Sequence, residues 1–199
     1  MQNLWIWKHP NYPNFSFDKS TIDTLANRLE QDHEILKDIA SNISRNDLLK
    51  AQISALEDEI FYSSLIEGER LKRSSIRSSV KNRLDENFDW LADTNATRHS
   101  DNLVSLMLEA NLNKAYMNFE RLHGWHNALF EYSHSKTYKI KRAKFRDDEM
   151  SVVSGLSKNV QIHYEALPAE RIEDEMRIFL NFINKNHDNT YVKSALAHL

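Results

Sequence analysis

The sequence predicts a mainly α-helical fold carrying one β-hairpin, and three observations predict it. Only three Gly and three Pro occur in 199 residues, and between Ser16 and Lys136 the breakers are Gly68 and Gly124 alone; such scarcity favours long helices over many short strands. Up to Tyr132 the apolar residues recur three and four apart, the period of helices with one buried face. After Ser133 the texture changes to alternating, β-branched stretches.

Composition narrows the function classes before any motif is considered. A chain 41% hydrophobic and 28% charged is that of a soluble globular protein with one sizeable core or two small domains. Its net charge of −3 gives no overall field toward nucleic acid or an anionic membrane, so neither partner is expected. Zero Cys excludes disulfides and thiol-ligated metal. The start Met1-Gln2-Asn3-Leu4-Trp5 lacks a basic segment with an apolar core behind it, and no run approaches the length of a membrane span, so the expected compartment is the cytoplasm.

Residues 1–17 carry Trp5, Trp7, Tyr12, Phe15 and Phe17 with Pro10 and Pro13, an extended arm whose aromatics are expected to pack on its own domain. From Asp18, an N-cap residue type, a first helix runs through Ile22, Leu25, Leu29, Ile35, Leu36 and Ile39 to about Ile43. A second spans about 47–68. Its stripe of Leu49, Ile53, Leu56 and Ile60 extends by three and four to Ser63 and Glu67, placing a hydroxyl and an acid on the line of the buried face. Gly68 then supplies a terminating residue that tolerates left-handed geometry. An acid there faces the negative end of the helix dipole, so Glu67 is expected to need a cation. A third helix covers about 74–84 on Ile76, Val80 and Leu84, and 85–101 reads as a loop with short helical turns around Phe88, Trp90 and Leu91. Leu103, Met107, Leu108, Leu112 and Tyr116 mark a fourth helix, and residues 119–132 a fifth with Gly124 in or between them. Tyr138 to Arg146 and Val160 to Tyr164 read as the two strands of the hairpin. Pro168 opens a helix to about Asn184, and Thr190 begins a last one.

The stretch Ser63-Ser64-Leu65-Ile66-Glu67-Gly68-Glu69 resembles the inhibitory helix of Fic-family proteins, whose pattern is Ser/Thr-x-x-x-Glu-Gly/Asn; Ser63, Glu67 and Gly68 match it in place. Arg146 to Gly155 followed by Val160 to Glu170 is similar to that family's target-docking flap, Trp125 to Phe130 to its helical core, and Trp5-Ile6-Trp7-Lys8-His9-Pro10 to a helical domain preceding it in one bacterial branch. The resemblance implies a Fic-like helical bundle with a flap at about 138–165. An N-terminal helical domain at 1–95 would include the inhibitory helix, and 96–199 would be the first part of the Fic domain. The family's His-Pro-Phe-x-x-Gly-Asn-Gly-Arg is absent from this chain, which therefore reads as truncated before its chemistry, with no catalytic residue and no metal ligand of its own.

By that resemblance the parent enzyme transfers AMP from ATP to a Ser, Thr or Tyr hydroxyl of a protein, using ATP and Mg²⁺ that this chain alone is not expected to bind. Glu67 is then the acid that pairs with an Arg of the catalytic motif. Met150, Ser151, Val152, Val153 and Ser154 form the edge that takes a target as an added strand. The alternative is a non-catalytic module that docks a partner through the same hairpin, and a homo-oligomer is compatible with either. Other features have plainer readings. His123 and His126 have ligand-like spacing without a third ligand, the basic residues from Lys136 to Arg146 suit a strand with one wet face, Trp5 and Trp7 suit core or docking surface, and His163 and Glu165 belong to the flap.

Overall fold

A computed structural model describes residues 5–85, 93–131, 140–155, 159–187 and 189–199. Among them the fold is mainly helical with a single two-stranded antiparallel hairpin. The helices are α1 (Lys19–Ser41), α2 (Arg45–Ile66), α3 (Arg73–Leu84), α4 (Arg98–Leu112), α5 (Phe119–Phe130), α6 (Ile172–Asn184) and α7 (Thr190–His198), and the strands are β1 (Ser151–Ser154) and β2 (Gln161–Glu165). Two compact units result, one of Met1–Gln31 with Lys144–Leu199 and one of Asp32–Ala143, with α1 continuing from the first into the second. The boundary expected at 95/96 lies inside the second unit, between α3 and α4.

The core of the second unit follows from the stripe on α2. Ile53, Leu56 and Ile60 bury against Ile76 and Val80 of α3 and Val104 of α4, with Leu71, Leu103, Met107 and Leu108 around them. Small hydroxyl side chains let α3 approach α4 closely. Ser79 and Ser100 are buried and bonded Oγ to Oγ at 2.8 Å, so neither is left unsatisfied. Ser100 also completes the box that starts α4, with the Ser100 amide donating to Thr97 Oγ1 and the Thr97 amide to Ser100 Oγ. That cap begins the helix at Arg98, earlier than the apolar periodicity suggests. It ends at Leu112 rather than Tyr116, because Arg121 takes the Glu109 carboxylate at 2.9 Å and the carbonyls of Asn113 and Ala115, and Tyr116 is left exposed. Gly124 lies within α5.

Asp18 begins α1 as its residue type suggests, accepting from the Ser20 amide at 3.0 Å and from the Ser20 and Thr21 hydroxyls at 2.8 Å. These bonds, the Ser20 hydroxyl first, hold its carboxyl below the ordinary value. The hairpin differs from expectation in its first strand. Residues 140–146 run through turns, with Ala143 at φ 52° and its amide donating to His126 Nδ1 at 3.2 Å. The strand that pairs is Ser151–Ser154 instead. Arg142 donates to the Glu131 carbonyl, the Ala143 amide is taken by His126, and Arg146 is drawn to the carbonyls of Asp148 and Leu167. Tyr138 and Lys139 lie outside the described residues, as do Phe88, Trp90 and Leu91 of the expected loop. Gly155 leaves β1 at φ +99°, where a Cβ would stand 2.0 Å from the Asn159 carbonyl oxygen, so glycine is required there.

Because Ile76 is fully buried between α2 and α4, Ile76→Ala is expected to lower stability by about 2–5 kcal/mol. Ile66→Ala, at a position 83% exposed, is expected to change it by less than about 0.5 kcal/mol. Urea unfolding of the two variants checks the contrast.

Candidate functional site

The end of α2 closes in a paired-hydrogen-bond turn that the sequence specifies at one residue. Gly68 adopts φ +85°, and its amide donates to the Leu65 carbonyl at 3.1 Å while the Glu69 amide reaches back to Ser64 at 2.8 Å. These are the two bonds of a Schellman termination, which needs a left-handed residue at that position. Glu67 is the residue just before it, its amide donating to the Ser63 carbonyl at 3.2 Å. The buried stripe stops at Ile60. Ser63 and Glu67, expected on the buried face, are both exposed, because the chain turns at Gly68 and α3 folds back over the preceding turns only. Among the described residues no cation pairs with the Glu67 carboxylate.

What anchors this turn is a cluster that sequence reasoning missed. Arg73, the first residue of α3, donates to Asp58 at 2.6 Å and to Glu57 at 3.3 Å, and its guanidinium lies over Phe61 and Tyr62 at 4.3 and 5.1 Å. Arg77 Nε approaches the other Glu57 oxygen at 3.4 Å. The bond to Asp58 raises the Arg73 pKa above its ordinary value. A legible signal existed: Glu57 follows Leu56 on the core-facing side of α2, and a buried acid calls for cations such as a pair spaced four apart on the next helix.

The hairpin is exposed along all of β1. Val152 and Val153 are both about half exposed because the register slips between them, with Val152 opposite Tyr164 and Val153 opposite Ile162, so strict alternation is lost. Ser151, Ser154 and Met150 are exposed as well, and among the described residues no third strand pairs with either edge. His163 and Glu165 do not act together. Ser154 Oγ lies 2.6 Å from His163 Nε2, whereas Glu165 is claimed by the N-terminal arm. Trp5 Nε1 donates to the Glu165 carboxylate at 2.8 Å, Lys8 Nζ reaches the same oxygen at 3.0 Å, and Trp7 Nε1 donates to the Glu165 carbonyl at 2.8 Å. Lys8 and then Trp5 hold the Glu165 carboxyl below its ordinary value. Trp5 also meets Tyr164 edge to face at 5.7 Å, so the arm packs on β2 and not within residues 1–95, the domain expected from the sequence.

The same unit contains a cavity of about 680 Å³ walled by Trp7, Tyr12, Phe15, Tyr164, Phe179 and Phe182. Burial, followed by the nearby charge of Glu175, raises the Tyr12 pKa. Elsewhere His126 is used by the Ala143 amide and meets Phe130 in a tilted ring contact at 4.7 Å, and His123 stacks on Phe119. Among the described residues no three His, Asp or Glu side chains gather into a ligand set, and no helix is long and apolar enough to cross a membrane.

A family profile described as a domain of unknown function, DUF4172, matches residues 5–85, less than half of the chain. The matched segment runs from the arm through α1, α2 and α3. No curated protein matches the chain.

The clasp at Glu165 is expected to be pH-dependent. A carboxyl whose folded pKa is lowered stabilises the folded form above its unfolded value and loses that contribution as pH falls through the folded one. The Trp5 indole N–H resonance is therefore expected to shift in an acid titration with a midpoint below the ordinary glutamate value of 4.5. A midpoint at or above it would show that the clasp does not form.

Proposed function

We propose that this chain is the regulatory and target-docking portion of a Fic-type enzyme that transfers AMP from ATP to a protein hydroxyl, with α2 as its intramolecular inhibitor. The single observation that carries the reading is the end of α2. The Ser63, Glu67, Gly68 pattern coincides with a helix termination at an exposed carboxylate that no cation among the described residues pairs with. An arginine of the His-Pro-Phe-x-x-Gly-Asn-Gly-Arg motif is the partner this reading assigns to Glu67. Pairing would withdraw that guanidinium from the ATP phosphates and relieve the unfavourable position of an acid at a helix C-terminus. ATP and Mg²⁺ would be held by the catalytic motif and not by the residues described above. The inferred compartment is the cytoplasm.

Met150 to Ser154 would receive the target. An exposed strand with unpaired main-chain groups can take an added strand by backbone hydrogen bonds, leaving side-chain identity loosely constrained. The half-exposed Val152 and Val153 suit a partner segment that is itself extended and apolar on one face. The same edge would serve a non-catalytic docking module, so the two readings separate on Glu67. In an enzyme carrying this chain together with the catalytic motif, Glu67→Gly is expected to raise autoadenylylation at least tenfold, measured by transfer of label from α-labelled ATP. An unchanged level would contradict the inhibitory role and favour the docking module.

A further inference from the structure

The hairpin has two outer edges, and the chain itself closes one of them. Ser151 stands opposite Glu165, and the Ala166 amide donates to the Met150 carbonyl at 2.9 Å. In an antiparallel ladder that bond flanks a pair whose own N–H and C=O groups point away from the partner strand. The Glu165 carbonyl therefore lies on the outer edge of β2, and there the Trp7 indole Nε1 donates to it at 2.8 Å. Trp5 Nε1 and Lys8 Nζ hold the carboxylate of the same residue, and the Trp5 ring meets Tyr164 edge to face. A strand added to β2 would have to displace this arm from the Glu165 carbonyl.

The edge of β1 is different. The register slips between Val152, opposite Tyr164, and Val153, opposite Ile162, so the extra residue is His163 on β2 and the β1 backbone keeps its regular alternation. Val152 and Ser154 turn their main-chain groups toward β2, while Ser151 and Val153 turn theirs outward. All four residues are exposed, and among the described residues no third strand meets them. Outward, unpaired groups on a short strand recognise extended main chain rather than one particular side chain.

We infer that the N-terminal arm is an edge guard. Trp5, Trp7 and Lys8 close β2, so that an extended peptide joins the hairpin along β1 alone, through the N–H and C=O groups of Ser151 and Val153. This rests on the docking role proposed above for Met150 to Ser154, and it needs neither ATP nor the catalytic motif.

Titration of the ¹⁵N-labelled 199-residue chain with a capped peptide of alternating Thr and Val tests the inference. Amide shift changes are expected at Ser151 and Val153, with none at Ile162 or Glu165, the outward residues of β2. The same peptide N-methylated at every residue is expected to cause none, a control that depends on no variant folding. In Trp7→Phe, which keeps a ring but loses the donor, shift changes are expected at Ile162 and Glu165 as well. Shift changes on β2 of the native chain overturn the edge guard while leaving the docking role standing, and so does a Trp7→Phe variant that binds on β1 alone. Equal binding of the N-methylated peptide overturns recognition through the main chain. No binding at all overturns the docking role and the edge guard together.

Discussion

The reversal at Gly68 is the constraint on which the second unit depends. Its left-handed backbone ends α2 and sends the chain back, so that Ile76 and Val80 of α3 close over Ile53, Leu56 and Ile60. Without that reversal the α2 stripe has no lid, and Val104 of α4 has no pair of helices to fill. The Arg73 cluster locks the same turn from the other side, holding the start of α3 to the Glu57, Asp58, Phe61 and Tyr62 side of α2. One turn therefore both builds the core and excludes the last helical residues from it. Ser63 and Glu67 are exposed because the core they point past is already complete.

The first unit solves a different problem. A two-stranded hairpin is marginal in water, and this one has no buried face on β1. What fixes it is the arm. Three donors from Trp5, Trp7 and Lys8 converge on Glu165 at the end of β2, and the Ala166 amide extends the pairing to the Met150 carbonyl. The arm's hydrogen bonds thus concentrate at the Glu165 end of the hairpin, while at the other end Ser154 Oγ lies 2.6 Å from His163 Nε2. A strand buried for stability would instead have its main chain withdrawn from any added strand.

Most helices were legible in the sequence because their causes are local. Apolar spacing marked α1, α2 and α3, Gly68 marked a stop, and Asp18 and Thr190 sat where helices begin. Features set by distant partners were not legible. Nothing in Tyr138 to Arg146 announces that Arg146 will be captured by the carbonyls of Asp148 and Leu167 and so leave the first strand to Ser151–Ser154. Likewise the stripe through Ser63 and Glu67 gives a direction but not a length of burial, which the packing of α3 decides. In the candidate site the helix stop at Gly68 was readable, and the core-facing Glu57 hinted at a cation, but that Arg73 would also take Asp58 and lie over Phe61 and Tyr62 needed three dimensions.

The central claim is that Glu67 is held out at the Gly68 turn to receive a guanidinium. Titration of the ¹⁵N-labelled chain with a peptide carrying His-Pro-Phe-x-x-Gly-Asn-Gly-Arg tests it most directly. The expected result is amide shift changes concentrated at Ser63, Glu67, Gly68 and Glu69, lost when either Glu67 is changed to Gln or the peptide arginine to Ala. Shift changes that cluster elsewhere, or that persist after both replacements, would contradict it.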